Sequence, residues 1–157
     1  MTSRLLPKLF LSCALALAPL AAAAEEGGAK TVDMAWARAM KANDLEGVVA
    51  CYAPDAVMWF PEAAQARGTK AIRDVYAGYF STFTVADVTL PNPVYQTSGD
   101  LSSGWGNFTL TLQPKAGGDA EVIRGRYTEV ARKIGGKWLY VADQASADPP
   151  APAASNK

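Results

Sequence analysis

Apolar positions in this chain change period near its middle, from about 3.6 residues to two. From Thr31 to Lys41, Val32, Trp36 and Met40 recur every fourth residue with Ala35 and Ala39 beside them, which is the spacing of one buried helix face. Asn43 suits a left-handed stop, and Asp44 suits the cap of a second helix, Leu45 to Tyr52, with Leu45, Val48, Val49 and Tyr52 as its stripe. Pro54-Asp55 ends that helix, with Asp55 as a turn cap before a short strand, Ala56 to Phe60. Pro61 to Ala64 turns, and Gln65 to Arg67 pairs back. Gly68-Thr69 opens a third helix, with Thr69 as its cap and Ile72, Val75, Tyr76, Tyr79 and Phe80 on its buried side.

Alternation of period two then takes over. Val85 to Leu90 and Val94 to Thr97 read as strands, and Pro91 and Pro93 between them mark a bulge or a sheet edge. Leu101 to Gln113, Ala120 to Lys133 and Lys137 to Gln144 follow, joined by a loop with Gly117-Gly118 and a tight turn at Gly135-Gly136. Three helices followed by a meander predict an α+β domain: a curved antiparallel sheet wrapped on the helices as a cone with a cavity at its open end. The domain spans 31–146, after a flexible lead at 25–30 and before a disordered Pro/Ala tail at 147–157.

The N-terminus changes the compartment. Arg4 and Lys8 precede an apolar run from Leu9 to Leu20, and Ala22 and Ala24 stand before Glu25-Glu26. That pattern predicts a signal peptide at 1–24 and a periplasmic or secreted protein with no membrane contact after cleavage. The chain holds 15 basic and 15 acidic residues. Loss of Arg4 and Lys8 leaves the mature domain slightly acidic, with no basic field for nucleic acid. Cys13 leaves with the leader, so Cys51 has no internal disulfide partner and reads as a small buried hydrophobe.

The sequence contains no histidine. Triad chemistry and imidazole metal sites are therefore excluded, and one cysteine cannot build a thiolate cluster. No metal and no cofactor is expected. Gly104-x-Gly106 lies in a strand with no helix after it, so it is no phosphate loop. Proton transfer is left to carboxylates, tyrosines and lysines.

Four segments in order carry a resemblance: Asp44-Leu45-Glu46-Gly47-Val48, Tyr52-Ala53-Pro54-Asp55-Ala56-Val57, Arg67-Gly68-Thr69-Lys70-Ala71-Ile72, and Gly136-Lys137-Trp138-Leu139-Tyr140-Val141-Ala142-Asp143. Together they resemble the SnoaL-like and ketosteroid-isomerase-like group, whose cystatin-like fold is that of nuclear transport factor 2. The resemblance covers about Thr31 to Ser146 and implies the cone with its pocket. It does not imply one activity, because this fold hosts enzymes, binding proteins and association domains. In the isomerase register the aspartate base falls on Phe60, which takes no proton. The oxyanion tyrosine falls on Trp36, and the protonated oxyanion aspartate falls near Glu129. The isomerase reaction is therefore not implied.

Period two places Glu129 on the cavity side with Gly125 and Tyr127, and Asp143 on the cavity side with Val141 and Leu139. Glu129, Asp143 and Tyr127 are the candidate catalytic groups, unless Glu129 pairs with Arg124, Arg126 or Arg132 and Asp143 caps its strand. Trp36, Tyr52, Phe60, Tyr76, Phe80, Phe108 and Val141 are the candidate pocket lining. Trp105 alternates with Phe108 and Leu110 and faces outward, where this fold commonly dimerises through its sheet. Three functions remain: an exported homodimer that binds a small apolar or aromatic molecule, placed first; a cofactor-independent acid–base isomerase, cyclase or hydrolase, placed second; and a purely structural association domain.

Overall fold

The computed structural model describes residues 27–61 and 63–149. The expected leader at 1–24, most of the lead and the tail beyond 149 lie outside the described residues. Three helices, α1 (Ala29–Ala42), α2 (Leu45–Val49) and α3 (Gly68–Thr82), pack on seven strands. These are β1 (Tyr52–Trp59), β2 (Ala66–Arg67), β3 (Phe83–Thr89), β4 (Val94–Ser98), β5 (Leu101–Pro114), β6 (Glu121–Ile134) and β7 (Lys137–Ala147). The sheet order is β2-β1-β7-β6-β5-β3, with β4 also on β5. It is an open α+β sheet, antiparallel except where β1 runs parallel to β7.

Local chemistry explains the boundaries. Helix α1 has no side-chain cap of its own at Gly28, and the hydroxyl of Ser102 on β5 accepts the Ala29 N–H at 2.9 Å instead. This satisfies one of the orphan donors of the first turn and fastens the helix to the sheet. At the other end Asn43 adopts the left-handed conformation. Its amide donates to the Val85 carbonyl at 3.1 Å and accepts the Val85 N–H at 2.8 Å, so one side chain ends α1 and pairs with β3. Asp44 caps α2 through the Gly47 N–H.

Several expectations need correction. Helix α2 stops at Val49, and Tyr52 begins β1, which continues through Pro54 and an exposed Asp55. Strand pairing with β7 overrides the helical stripe there. Helix α3 starts at Gly68, which holds φ +78, with Arg67 in the cap position, so Thr69 is no cap. β7 runs to Ala147, one residue past the expected boundary, and Asp148 bonds the Arg124 carbonyl and pairs with Arg126. Helix α1 likewise begins at Ala29 rather than Thr31.

β3 and β4 form one edge interrupted at the prolines. Thr89 pairs with Thr109 and Val94 with Trp105, so the chain skips a step opposite 106–108, where Pro91 and Pro93 offer no donor. The inner face of β5 carries Ser102, Gly104, Phe108, Leu110 and Leu112, and that of β6 carries Gly125, Tyr127, Glu129 and Ala131. These pack against Val32, Ala39 and Met40 of α1 and Ile72, Tyr76 and Phe80 of α3.

Candidate functional site

Between the helices and the inner face of the sheet lies a cavity of about 320 Å³. Its rim is formed by Trp59, Pro61 and Ala147, which reach solvent, and by Phe60 and Leu90. Its wall is apolar, with Met40, Met58, Phe108, Leu110 and Ile123. Its floor is polar: Asp33, Glu129, Tyr127, Tyr140 and Asp143.

Two hydrogen-bonded clusters build that floor. The first centres on Asp33 of α1, which is 1% exposed. Its carboxyl accepts Tyr95 at 2.8 Å, Tyr127 at 3.1 Å and Tyr140 at 2.5 Å. A carboxyl with several lone pairs suits three phenols, and the three bonds offset much of its burial cost. Glu129, 3% exposed, completes the cluster. Burial first, then the charge of Asp33, a bond to Asp33 and the charge of Asp143 push its carboxyl up to about 10. Glu129 is therefore a neutral acid at pH 7 that donates to Asp33. Its Oε1 has no partner and lies against Gly104, where any Cβ would run into it. An unpaired carbonyl oxygen costs less than an unpaired carboxylate oxygen would, which agrees with the neutral form.

The second cluster is a directed chain. The Trp36 indole N–H donates to the Tyr76 hydroxyl at 2.9 Å. The Tyr76 and Tyr52 hydroxyls lie 2.7 Å apart, and Tyr52 donates to Asp143 Oδ2 at 2.6 Å. Tyr52 has one proton and gives it to Asp143, so Tyr76 must donate to Tyr52. Burial pushes Asp143 up to about 6, the bond from Tyr52 works against that shift, and the charge of Asp33 adds to it. Glu129 and Asp143 are direct register partners on β6 and β7, so their Cβ atoms stand about 5 Å apart on one face.

The structure thus brings Glu129, Asp143 and Tyr127 to one floor. Of the expected lining, Trp36, Phe60, Tyr76 and Phe108 line the cavity. Tyr52 and Phe80 do not: Tyr52 stands behind Asp143, and Phe80 packs edge-on to Tyr79 and tilted against Tyr76. Val141 is also off the cavity. Val130 pairs with Ala142 and Ala131 with Tyr140, so Val141 is the extra residue of a β-bulge, and parity reverses across it. Tyr140 takes the inward place, and Leu139 faces the other way. Arg124, Arg126 and Arg132 sit on the exposed alternate positions of β6, so none forms the floor with Glu129.

Asp33, Tyr95 and Tyr140 are not among the site residues that the sequence points to. Asp33 carried a signal: it precedes Trp36 by three residues and Met40 by seven, an acid inside an apolar stripe. Cys51 is buried, bonds the Gly47 carbonyl, and is pushed up to about 11 by burial and by the charge of Asp33.

A SnoaL-like domain model matches residues 34–141. No curated protein matches. Among solved structures, a ketosteroid isomerase-like protein from Erwinia carotovora is 24% identical with a TM-score of 0.68, covering 77% of this chain and 94% of that one. An NTF2-like protein of unknown function from Pseudomonas putida is 22% identical with a TM-score of 0.63, covering 82% and 88%. A protein of unknown function with a cystatin-like fold from Nostoc punctiforme is 20% identical with a TM-score of 0.63, covering 78% and 90%. At these identities the likeness carries the fold.

Proposed function

As a chain that belongs to the SnoaL-like domain family, we propose that this protein transfers protons on a small, largely apolar molecule without a cofactor. The observation that carries this reading is the floor of the cavity: the buried carboxyl of Glu129 and the half-buried one of Asp143, opposite each other in register, at the end of an apolar chamber. Asp143, at about 6, is a base at neutral pH. Glu129, at about 10, still holds its proton there. Two neighbouring carboxyls whose surroundings push them apart in this way suit an acid and a base. Asp143 takes a proton from the substrate, while the Glu129–Asp33 pair holds the one to be returned. The chain from Trp36 through Tyr76 and Tyr52 fixes the carboxylate of Asp143. A binding domain needs no such pair, so the geometry favours the enzyme over pure binding.

The test uses a panel of apolar ring compounds bearing a ketone, an alcohol or an amine, incubated in D2O and followed by NMR and mass spectrometry. Wild type should catalyse deuterium uptake or conversion of at least one member, with a rate that rises with pH through about 6. Asp143→Asn should lower that rate about a hundredfold or more. Compounds that bind and neither exchange nor react would leave a binding domain.

Export and homodimerisation belong to the same reading. What supports export is the basic start and apolar run of the first 24 residues. What supports a dimer through the sheet is the outer face of β5, where exposed Trp105 pairs in register with exposed Val94.

A further inference from the structure

The cavity is built for one sign of charge. None of its lining residues is a lysine or an arginine, and the sequence has no histidine. Three of them are carboxylic acids, Asp33, Glu129 and Asp143. The hydroxyl protons of the floor are already committed: Tyr127 and Tyr140 donate to Asp33, and Tyr76 donates toward Tyr52, which donates to Asp143. The Trp36 N–H is spent on Tyr76. Tyr79 on the wall keeps a buried hydroxyl without a partner, but at the floor itself an anion would find the donors spent and would face buried carboxyls, which is costly in a low-dielectric site. Glu129, almost wholly buried with Oε1 unpartnered, adds acceptor capacity and no free donor. Aromatic side chains share the rest of the chamber with the aliphatic wall, among them Trp36, Trp59, Phe60, Tyr76 and Phe108. The face of such a ring attracts a cation through its quadrupole. No group of three His, Cys, Asp or Glu side chains among the described residues is placed to hold a metal ion.

We infer that the molecule this cavity takes is a hydrophobic cation: an apolar ring-bearing body with a protonated amine or related nitrogen, seated against Asp143 on the floor and enclosed by the apolar and aromatic wall. This deepens the proposed function and rests on its cavity. It adds the charge of the substrate, which proton transfer alone leaves open.

The test is calorimetric titration with three probes of one shape: naphthylmethylamine, naphthylmethanol and naphthoate. At neutral pH the amine should bind about tenfold or more tighter than the alcohol, and naphthoate should not bind. Amine affinity should fall as pH drops below about 6, where Asp143 takes up a proton, while alcohol affinity stays level. Asp143→Asn should cut amine affinity about tenfold and leave the alcohol nearly unchanged. Should that variant not fold, the wild-type ranking and its pH dependence decide alone. Equal binding of amine and alcohol overturns the inference and leaves the acid–base reading standing, as does naphthoate binding as tightly as the amine. Failure of all three to bind overturns both. Amine binding without turnover in the deuterium experiment supports the inference and removes the enzyme.

Discussion

Glu129 is the residue whose titration reports most directly on the floor. Its carboxyl is raised from 4.5 to about 10, with burial as the main cause. Below its unfolded value both states are protonated and it has no effect. Between the two values the unfolded chain ionises while the folded one does not, so stability is lost as pH rises, at roughly 1.4 kcal/mol per pH unit. Above about 10 the loss is complete. Glu129→Gln keeps the shape and a donor toward Asp33 but cannot ionise. The variant should therefore melt higher than wild type at pH 8, with the gap closing as pH falls toward 4.5. A lower melting temperature at pH 8 would mean a charged Glu129 with a basic partner. Cys51 is the contrasting case: with its thiol at about 11, it should react slowly with alkylating reagents at pH 8 until the protein is denatured. Alternation along β6 made the inward place of Glu129 legible. Asp33 was not legible as its partner, since a helical acid gives no sign of three phenols contributed from strands 62, 94 and 107 residues away.

At the scale of elements, strands β5, β6 and β7 set the floor, and glycines on β5 and β6 make room for it. Gly104 sits opposite Glu129, and Gly125 sits opposite Phe108, whose ring occupies the space a Cβ would need. Gly104→Ala should drive Glu129 off its site and cost about 1–3 kcal/mol, as overpacking does. The double variant Gly104→Ala/Glu129→Ala should recover part of that loss, and a thermodynamic cycle on urea melts would measure the coupling. Strictly additive losses would refute the contact. The β7 bulge at Val141 is the second device of this scale. Period two, read without it, puts Val141 and Leu139 inside. The bulge depends on pairing with β6, and no residue of β7 announces it. Likewise, Pro54 reads as a helix stop, and only the parallel partner β7 makes its segment a strand.

For the whole molecule, the sheet has one face covered by helices and one face bare, and the bare face carries Trp105 and Val94. Light scattering should return about twice the monomer mass, and Trp105→Asp should shift it toward monomer; a wild-type monomer at tens of micromolar would end the dimer proposal. Periodicity and composition were enough for the order of helices and strands, the α+β class, the lack of imidazole groups and the inward side of Glu129 and Asp143. Each of these depends on periodicity or composition, which are local. Only the packed fold shows that Asp33 joins Glu129, that Tyr140 replaces Val141, that Tyr52 supports Asp143 from behind, and that Tyr127, Tyr140 and Tyr52 spend their hydroxyl protons on carboxyls. Those facts depend on register between strands and on how α1 lies across them. Both are set by the summed packing of residues far apart in the chain, which no single stretch of sequence encodes.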